Sequence, residues 1–198
     1  MYDEPSAALV DALLHAQRLG FLGARPIPEV IAHARGFVRA LEACAVEQAI
    51  ESVLDLGSGG GVPGLVIAHD LPSARLTLLD RRSKRTDALE RLVRRLGWQD
   101  RITVACTDVT DFVPDERFDA VVARGFGPPD FTLTHAARFV RDGGPIVISE
   151  PPSSDRWDDE LLAELGLVRV DESVVPSSTV RSGDLDGLVA VFRTPRSC

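Results

Sequence analysis

The sequence predicts an α/β fold: a doubly wound, mostly parallel seven-stranded sheet, preceded by helices and closed by a C-terminal antiparallel hairpin. Three observations carry that expectation. Between Ser52 and Ser149, short apolar runs alternate with helical stretches, the order that builds parallel strands joined by right-handed crossovers. Those runs are apolar almost throughout, as strands become when helices cover both faces of a sheet. Toward the C-terminus the alternation gives way to two extended runs joined by a loop-like link.

The elements follow in order. Leu9, Val10, Leu13, Leu14 and Ala16 recur at helical spacing over 6–19, with Ser6 placed to cap the first turn. A Gly- and Pro-rich link, Gly20 to Pro28, leads to a second helix over 28–45 with Pro28 in its first turn. Strands are expected at 52–56, 75–80, 102–106, 118–123 and 145–149, and helices at 63–70, 83–96 and 130–141. A short helix near 156–165 precedes extended runs at 167–175 and 187–193, linked through Pro176 to Asp186. A chain of 198 residues is expected to form one domain, 1–198, with a helical segment over 1–50 and an α/β core over 51–198.

Composition bounds the function classes. With 44% hydrophobic and 26% charged residues, the chain reads as a water-soluble globular domain. No run approaches the roughly 18 to 20 apolar residues of a membrane span. The start, with Asp3 and Glu4, lacks the basic and apolar regions of a signal peptide, so a cytoplasmic location is expected. Cys44, Cys106 and Cys198 are far apart and offer neither zinc-ligand spacing nor a disulfide framework. They read as small buried hydrophobes plus one tail thiol, and no metal is expected. The net charge of −8 weighs against a protein devoted to gripping a long phosphate backbone.

The most informative segment is Asp55-Leu56-Gly57-Ser58-Gly59-Gly60-Gly61-Val62-Pro63-Gly64. Glycines after a strand allow a tight turn and let a ligand approach the main chain. Gly59, Gly61 and Gly64 satisfy G-x-G-x-x-G, the dinucleotide pattern in which a helix N-terminus receives a pyrophosphate. The competing frame is Asp55-x-Gly57-x-Gly59-x-Gly61, with a carboxylate at the strand end. That carboxylate would repel a pyrophosphate and attract the sulfonium and ammonium of S-adenosylmethionine, so this donor is expected rather than NAD, with S-adenosylhomocysteine as product. Asp80, at the end of the second strand, is placed to accept hydrogen bonds from ribose hydroxyls in either case. Asp108, beside Val109 after the third strand, is placed near the adenine.

With these residues in view, the chain resembles the glucose-inhibited division protein B family, guanine N-7 methyltransferases of small-subunit ribosomal RNA within the class I S-adenosylmethionine-dependent superfamily. The resemblance runs from Asp55 to Gly64, through Leu78-Leu79-Asp80, Ser83-Lys84-Arg85, Leu89 and Leu96-Gly97, to Phe118-Asp119, Val121 and Arg124. It covers roughly residues 28 to 150, and it implies a Rossmann-like class I fold. It also implies that Asp55, Gly57, Ser58, Gly59, Gly61, Pro63, Gly64, Asp80, Arg81, Asp108, Val109 and Arg124 hold the donor.

The departures from the family fall on the acceptor side. Its Asn-Leu-Thr in the N-terminal region has no counterpart. Its Arg-x-Glu becomes Asp108-Val109-Thr110, its lysine after the fifth strand becomes Glu150-Pro151-Pro152, and an Arg-His pair gives way to Asp186-Gly187-Leu188. These departures and the acidic total favour, slightly, a small planar heteroaromatic acceptor; small-subunit ribosomal RNA is the alternative, and a non-catalytic binder of the donor is a second.

Methyl transfer from a sulfonium is an in-line displacement that positioning and desolvation can drive. A heteroaromatic nitrogen needs no general base, and none is identified. Arg124, at the carboxyl end of the fourth strand, is the candidate for positioning the acceptor. Phe126 is placed to stack on a planar group, and Lys84, Arg85 and His33 complete the expected acceptor side. Arg81, Arg82, Lys84, Arg85, Arg91, Arg94 and Arg95 form the one candidate RNA-binding stripe, interrupted by Asp87 and Glu90.

Overall fold

The computed structural model describes residues 2–45, 49–150, 157–170 and 189–194. Helices α1 (Ala7–Arg18) and α2 (Ile27–Ala45) lead into β1 (Ser52–Leu56), α3 (Gly64–Asp70), β2 (Arg75–Asp80), α4 (Ser83–Leu96), β3 (Ile102–Cys106), β4 (Ala120–Ala123), α5 (Pro129–Phe139), β5 (Pro145–Ser149), α6 (Asp159–Glu164), β6 (Val168–Arg169) and β7 (Val189–Arg193). One seven-stranded sheet results, in the order β3-β2-β1-β4-β5-β7-β6. β1 to β5 pair in parallel, and β7 runs antiparallel between β5 and β6. The chain order reverses between β1 and β4, the switch point where open α/β sheets form a crevice.

Side chains alternate between the sheet faces, and the core divides accordingly. Val53, Leu76, Leu78, Val122 and Val147 pack toward α1, α2, α3 and α4, whereas Leu54, Leu56, Val121, Ile146 and Ile148 pack toward α5 and α6. Asp55 shares the parity of Val53 and therefore lies on the α3 side, where its carboxylate meets the first residue of that helix.

Local chemistry sets the ends. The Ser6 Oγ accepts from the Leu9 N–H at 3.2 Å and caps α1. Asp158 caps α6 by accepting from Glu160 and Leu161, and Gly97 closes α4 in the left-handed region at φ 71°. The expected fourth strand over 118–123 shortens to Ala120–Ala123, because Phe118 instead bridges Val140 at the end of α5. That exchange also ends α5 at Phe139 rather than residue 141. Only Val168–Arg169 and Val189–Arg193 of the two tail runs are seen as strands among the described residues. Residues 171–188, including Pro176 to Asp186 and Asp186-Gly187-Leu188, lie outside the described residues, as do Pro151, Pro152 and Cys198. Cys44 is buried as expected, but Cys106 is exposed; it ends β3, which stands at the edge of the sheet among the described strands.

Among the described residues, no helix is long and apolar enough to cross a membrane. None of their His, Cys, Asp and Glu side chains group in threes to hold a metal ion.

Candidate functional site

The Gly-rich turn is clasped to the end of β2. The Gly57 and Ser58 N–H groups both donate to the Leu79 carbonyl, at 2.8 and 3.0 Å, and the Gly61 N–H donates to Ser58 O at 2.7 Å. Two carboxylates take the next donors: Asp80 Oδ2 accepts from the Gly59 N–H at 3.0 Å, and Asp55 Oδ2 from the Gly64 N–H at 3.0 Å. Gly57, Gly59 and Gly61 have φ of 69°, 55° and 91°, a run open to glycine and costly for any residue with a Cβ. Gly64 serves a different purpose: a Cβ there would lie 2.4 Å from Leu78 Cδ2 and 2.6 Å from Asp55 Oδ2. Helix α3 thus approaches the sheet as closely as a residue without a side chain allows.

Asp55 is fully buried, and its Oδ1 has no hydrogen-bond partner among the described residues. Burial pushes its pKa up to about 7, against smaller opposing effects from the Ser58 hydroxyl, the Gly64 N–H and the nearby Arg124. An orphaned oxygen on a buried carboxyl costs free energy until a donor or a cation reaches it. Asp80 is nearly buried; its Oδ1 accepts from the Arg82 N–H at 2.9 Å and its Oδ2 lies 3.4 Å from Arg85 Nη1. Asp108 is held in an Asx-like turn by the N–H and hydroxyl of Thr110, with Arg81 3.4 Å away. Those hydrogen bonds hold its carboxyl below the usual carboxylate range.

Two clefts open at the switch point, on either side of Gly125-Phe126-Gly127. One, of ≈ 630 Å³, is lined by Gly57, Asp80, Arg81, Arg85, Asp108, Val109 and the rings of Phe126 and Phe131. The other, of ≈ 620 Å³, is lined by Arg25, His33, Arg124, Phe126, Thr132, Ser149 and Glu150. Phe126 belongs to both, and its Cδ2 lies 2.5 Å from where a Cβ on Gly57 would stand. The Phe126 ring also leans on Phe131, centroids 5.6 Å apart, and Phe131 meets the edge of His135 at 4.4 Å.

The sequence-chosen residues divide between these clefts. Arg85 stands at the first, beside Asp80, whereas it was expected on the acceptor side; Arg124, His33 and Phe126 stand at the second. Lys84 is exposed on α4 and lines neither. Arg124 is mostly buried; its Nε donates to the Val62 carbonyl at 3.2 Å, and desolvation lowers its pKa, opposed by Asp55 and reinforced by Arg25. Ser58 and Pro63 shape the turn from within: Ser58 Oγ–H donates to the Asp55 carbonyl at 2.9 Å, and the Val62–Pro63 peptide is cis. Arg25 and Phe131 went unread in the sequence, because a lone loop arginine and an aromatic at a helix start carry no periodic signal.

Comparison with known proteins adds the following. A family described as rRNA small subunit methyltransferase G matches residues 8–160. A ribosomal RNA small subunit methyltransferase G of Rhizorhabdus wittichii is 38% identical over 126 residues, 64% of this chain and 56% of that protein. Its counterpart from Thermotoga neapolitana is 31% identical over 148 residues, 74% of this chain and 64% of that protein. The chain therefore spans between half and two thirds of the length of these relatives. An N-methyltransferase NodS from Bradyrhizobium japonicum, solved with S-adenosyl-l-homocysteine, shares the fold with a TM-score of 0.59 at 21% identity, over 93% of this chain and 99% of that one. So does a putative O-methyltransferase from Klebsiella pneumoniae, with a TM-score of 0.63 at 17% identity over 97% and 92%.

These relatives correct one expectation. The matching family and the sequence relatives are named for ribosomal RNA, so the preference for a small planar acceptor does not stand. The charge argument behind it weighed the wrong quantity: −8 is a sum over the chain, while at the clefts Arg81, Arg82 and Arg85 stand level with Asp80, Asp108 and Asp130, and Arg25 and Arg124 outnumber Glu150.

Proposed function

The chain belongs to the rRNA small subunit methyltransferase G family, and from that membership we propose that it is an S-adenosylmethionine-dependent methyltransferase acting on N-7 of a guanine in small-subunit ribosomal RNA. A cytoplasmic location and RNA as partner follow from the same proposal.

The observation that carries the choice of donor is the commitment of the turn's N–H groups. Those of Gly57, Ser58, Gly59, Gly61 and Gly64 all bond to protein oxygens, two of them carboxylate oxygens. A pyrophosphate would find these donors taken and two acids beside them, which speaks against a dinucleotide. A cation would find attraction. The unpartnered Oδ1 of Asp55 fits a ligand with a positively charged end. Asp80 keeps lone pairs for ribose hydroxyls, and Val109, Phe126 and Phe131 offer apolar walls to a purine beside Asp108 and Arg81.

When bound, the donor supplies an electrophilic methyl group on sulfur with a neutral thioether as leaving group. The residues of this chain then have to orient and exclude water. Guanine N-7 carries a free lone pair, so no side chain has to remove a proton before transfer. Arg124, fixed by Val62 O, positions the acceptor, and Phe126 offers a face for the base to stack on.

Mass spectrometry of small-subunit ribosomal RNA from a strain lacking this gene tests the acceptor; an unaltered methylation pattern refutes it. Calorimetry with S-adenosylmethionine, S-adenosylhomocysteine and NAD tests the donor, and binding of NAD alone refutes that half.

A further inference from the structure

Two guanidinium groups, those of Arg25 and Arg124, line the second cleft against a single carboxylate there, Glu150. Arg25 is exposed, lines the cleft with Arg124, and has no carboxylate partner among the described residues. Its charge is felt by Arg124, which is itself mostly buried. Among the described residues, Arg124 spends only its Nε on the protein, at the Val62 carbonyl. Two guanidinium groups against one carboxylate leave the lining with an excess of positive charge that a bound anion would offset, and a forked guanidinium pair matches phosphate oxygens.

The segment that carries Arg25 is held in place at both its ends. From α1, the Gln17 amide nitrogen donates to two carbonyls of the connection, Gly23 O at 2.7 Å and Arg25 O at 2.8 Å. On the other side the connection rests on the Gly-rich turn. A Cβ on Gly60 would stand 2.6 Å from Leu22 Cγ and 2.8 Å from Phe21 O. The second glycine of the Gly59-Gly60-Gly61 run is therefore required by the N-terminal segment. Such a contact fixes the position of Arg25 relative to the donor turn.

We propose that Arg25 and Arg124 form a clamp for a backbone phosphate of the RNA strand, seating the target nucleotide at the cleft that Phe126 separates from the donor. This deepens the ribosomal RNA reading and rests on it. Arg25 acts here as a substrate-binding residue, reached through a loop that the family resemblance leaves without a matching motif.

The test is fluorescence anisotropy of a labelled, guanine-containing single-stranded RNA against the full chain loaded with S-adenosylhomocysteine, across a series of potassium chloride concentrations. R25E is expected to weaken RNA binding about tenfold or more at low salt and to reduce the slope of log affinity against log salt by about one. R25K is expected to keep the slope and lose affinity severalfold, since a point charge replaces a fork. Affinity of R25E for S-adenosylhomocysteine should stay within about twofold of wild type. If R25E loses that ligand as well, R25Q must show the slope change. Inorganic phosphate at the concentration of the RNA phosphates should compete poorly. An unchanged RNA affinity and slope in R25E or R25Q overturns the clamp, as does a wild type that binds no RNA or one displaced by phosphate alone. The proposed activity is read separately, by methylation of ribosomal RNA in the deletion strain; altered methylation with an unchanged slope removes the clamp and leaves the reaction standing.

Discussion

Asp55→Asn should move stability and donor affinity in opposite directions. In the folded chain the carboxyl is fully buried, and burial pushes its pKa from 3.8 to about 7. A folded-state pKa above the unfolded one means that the neutral acid favours the fold. That contribution is complete below about pH 4 and is lost as the pH rises through about 7. A rise of roughly three units, at about 1.4 kcal/mol each, puts the cost of the ionised carboxylate to the unliganded fold at about 4 kcal/mol at most. Asparagine keeps an oxygen for the Gly64 N–H, now 3.0 Å from Oδ2, and cannot ionise. Urea melts of the unliganded proteins should therefore agree to within about 1 kcal/mol near pH 4 and favour D55N by a few kcal/mol near pH 8.5. Calorimetry near pH 8.5 should show S-adenosylmethionine binding D55N about tenfold or more weakly. The deficit should shrink near pH 5.5, where the wild-type acid is also neutral. A stability difference that is the same at both pH values would refute the reasoning, because burial of a titrating carboxyl is its only source.

Gly64→Ala is expected to destabilise the chain by about 2 kcal/mol or more in a thermal melt, since the added Cβ meets a buried leucine and the Asp55 carboxylate rather than a flexible surface group. Asp80→Asn turns one acceptor oxygen into a donor opposite the Gly59 N–H or the Arg82 N–H; S-adenosylhomocysteine affinity measured by calorimetry should fall about tenfold or more. Phe126→Ala joins the two clefts by removing a half-buried ring, so kcat for RNA methylation should fall well over tenfold while the melting midpoint shifts by a few degrees at most.

The sheet was legible because its signal is repeated. Four of the five parallel strands are followed by a helix, and β1, β4 and β5 are almost wholly buried runs, so several separate readings agree on one topology. The errors fall where a residue's partner is distant in sequence. Phe118 reads as strand by composition, yet its N–H bonds to Phe139 O, and that exchange shortens β4 and α5 together. Cys106 reads as buried because cysteines usually are, and only the strand order puts β3 at an edge.

The site divides along the same line, and the division explains why the glycines alone could not choose a ligand. Gly59, Gly61 and Gly64 fit the dinucleotide spacing, while Gly57, Gly59 and Gly61 fit the other frame, and a spacing rule counts them alike. In three dimensions they answer separate demands: positive φ at 57, 59 and 61, close packing on Leu78 and Asp55 at 64, and room for Phe21 and Leu22 at 60. What distinguishes the ligands is which atoms take the N–H groups, and that depends on Asp55 and Asp80, one within ten residues of the turn's end and the other at the next strand's end. Both positions are fixed by the βαβ unit, so the donor side could be read from a single local stretch. The second cleft draws Arg25, His33, Arg124 and Glu150 from four separate segments of the chain. No spacing links them, and their meeting follows only from the strand order that puts β4 beside β1 and from Gln17 holding the first connection against the turn.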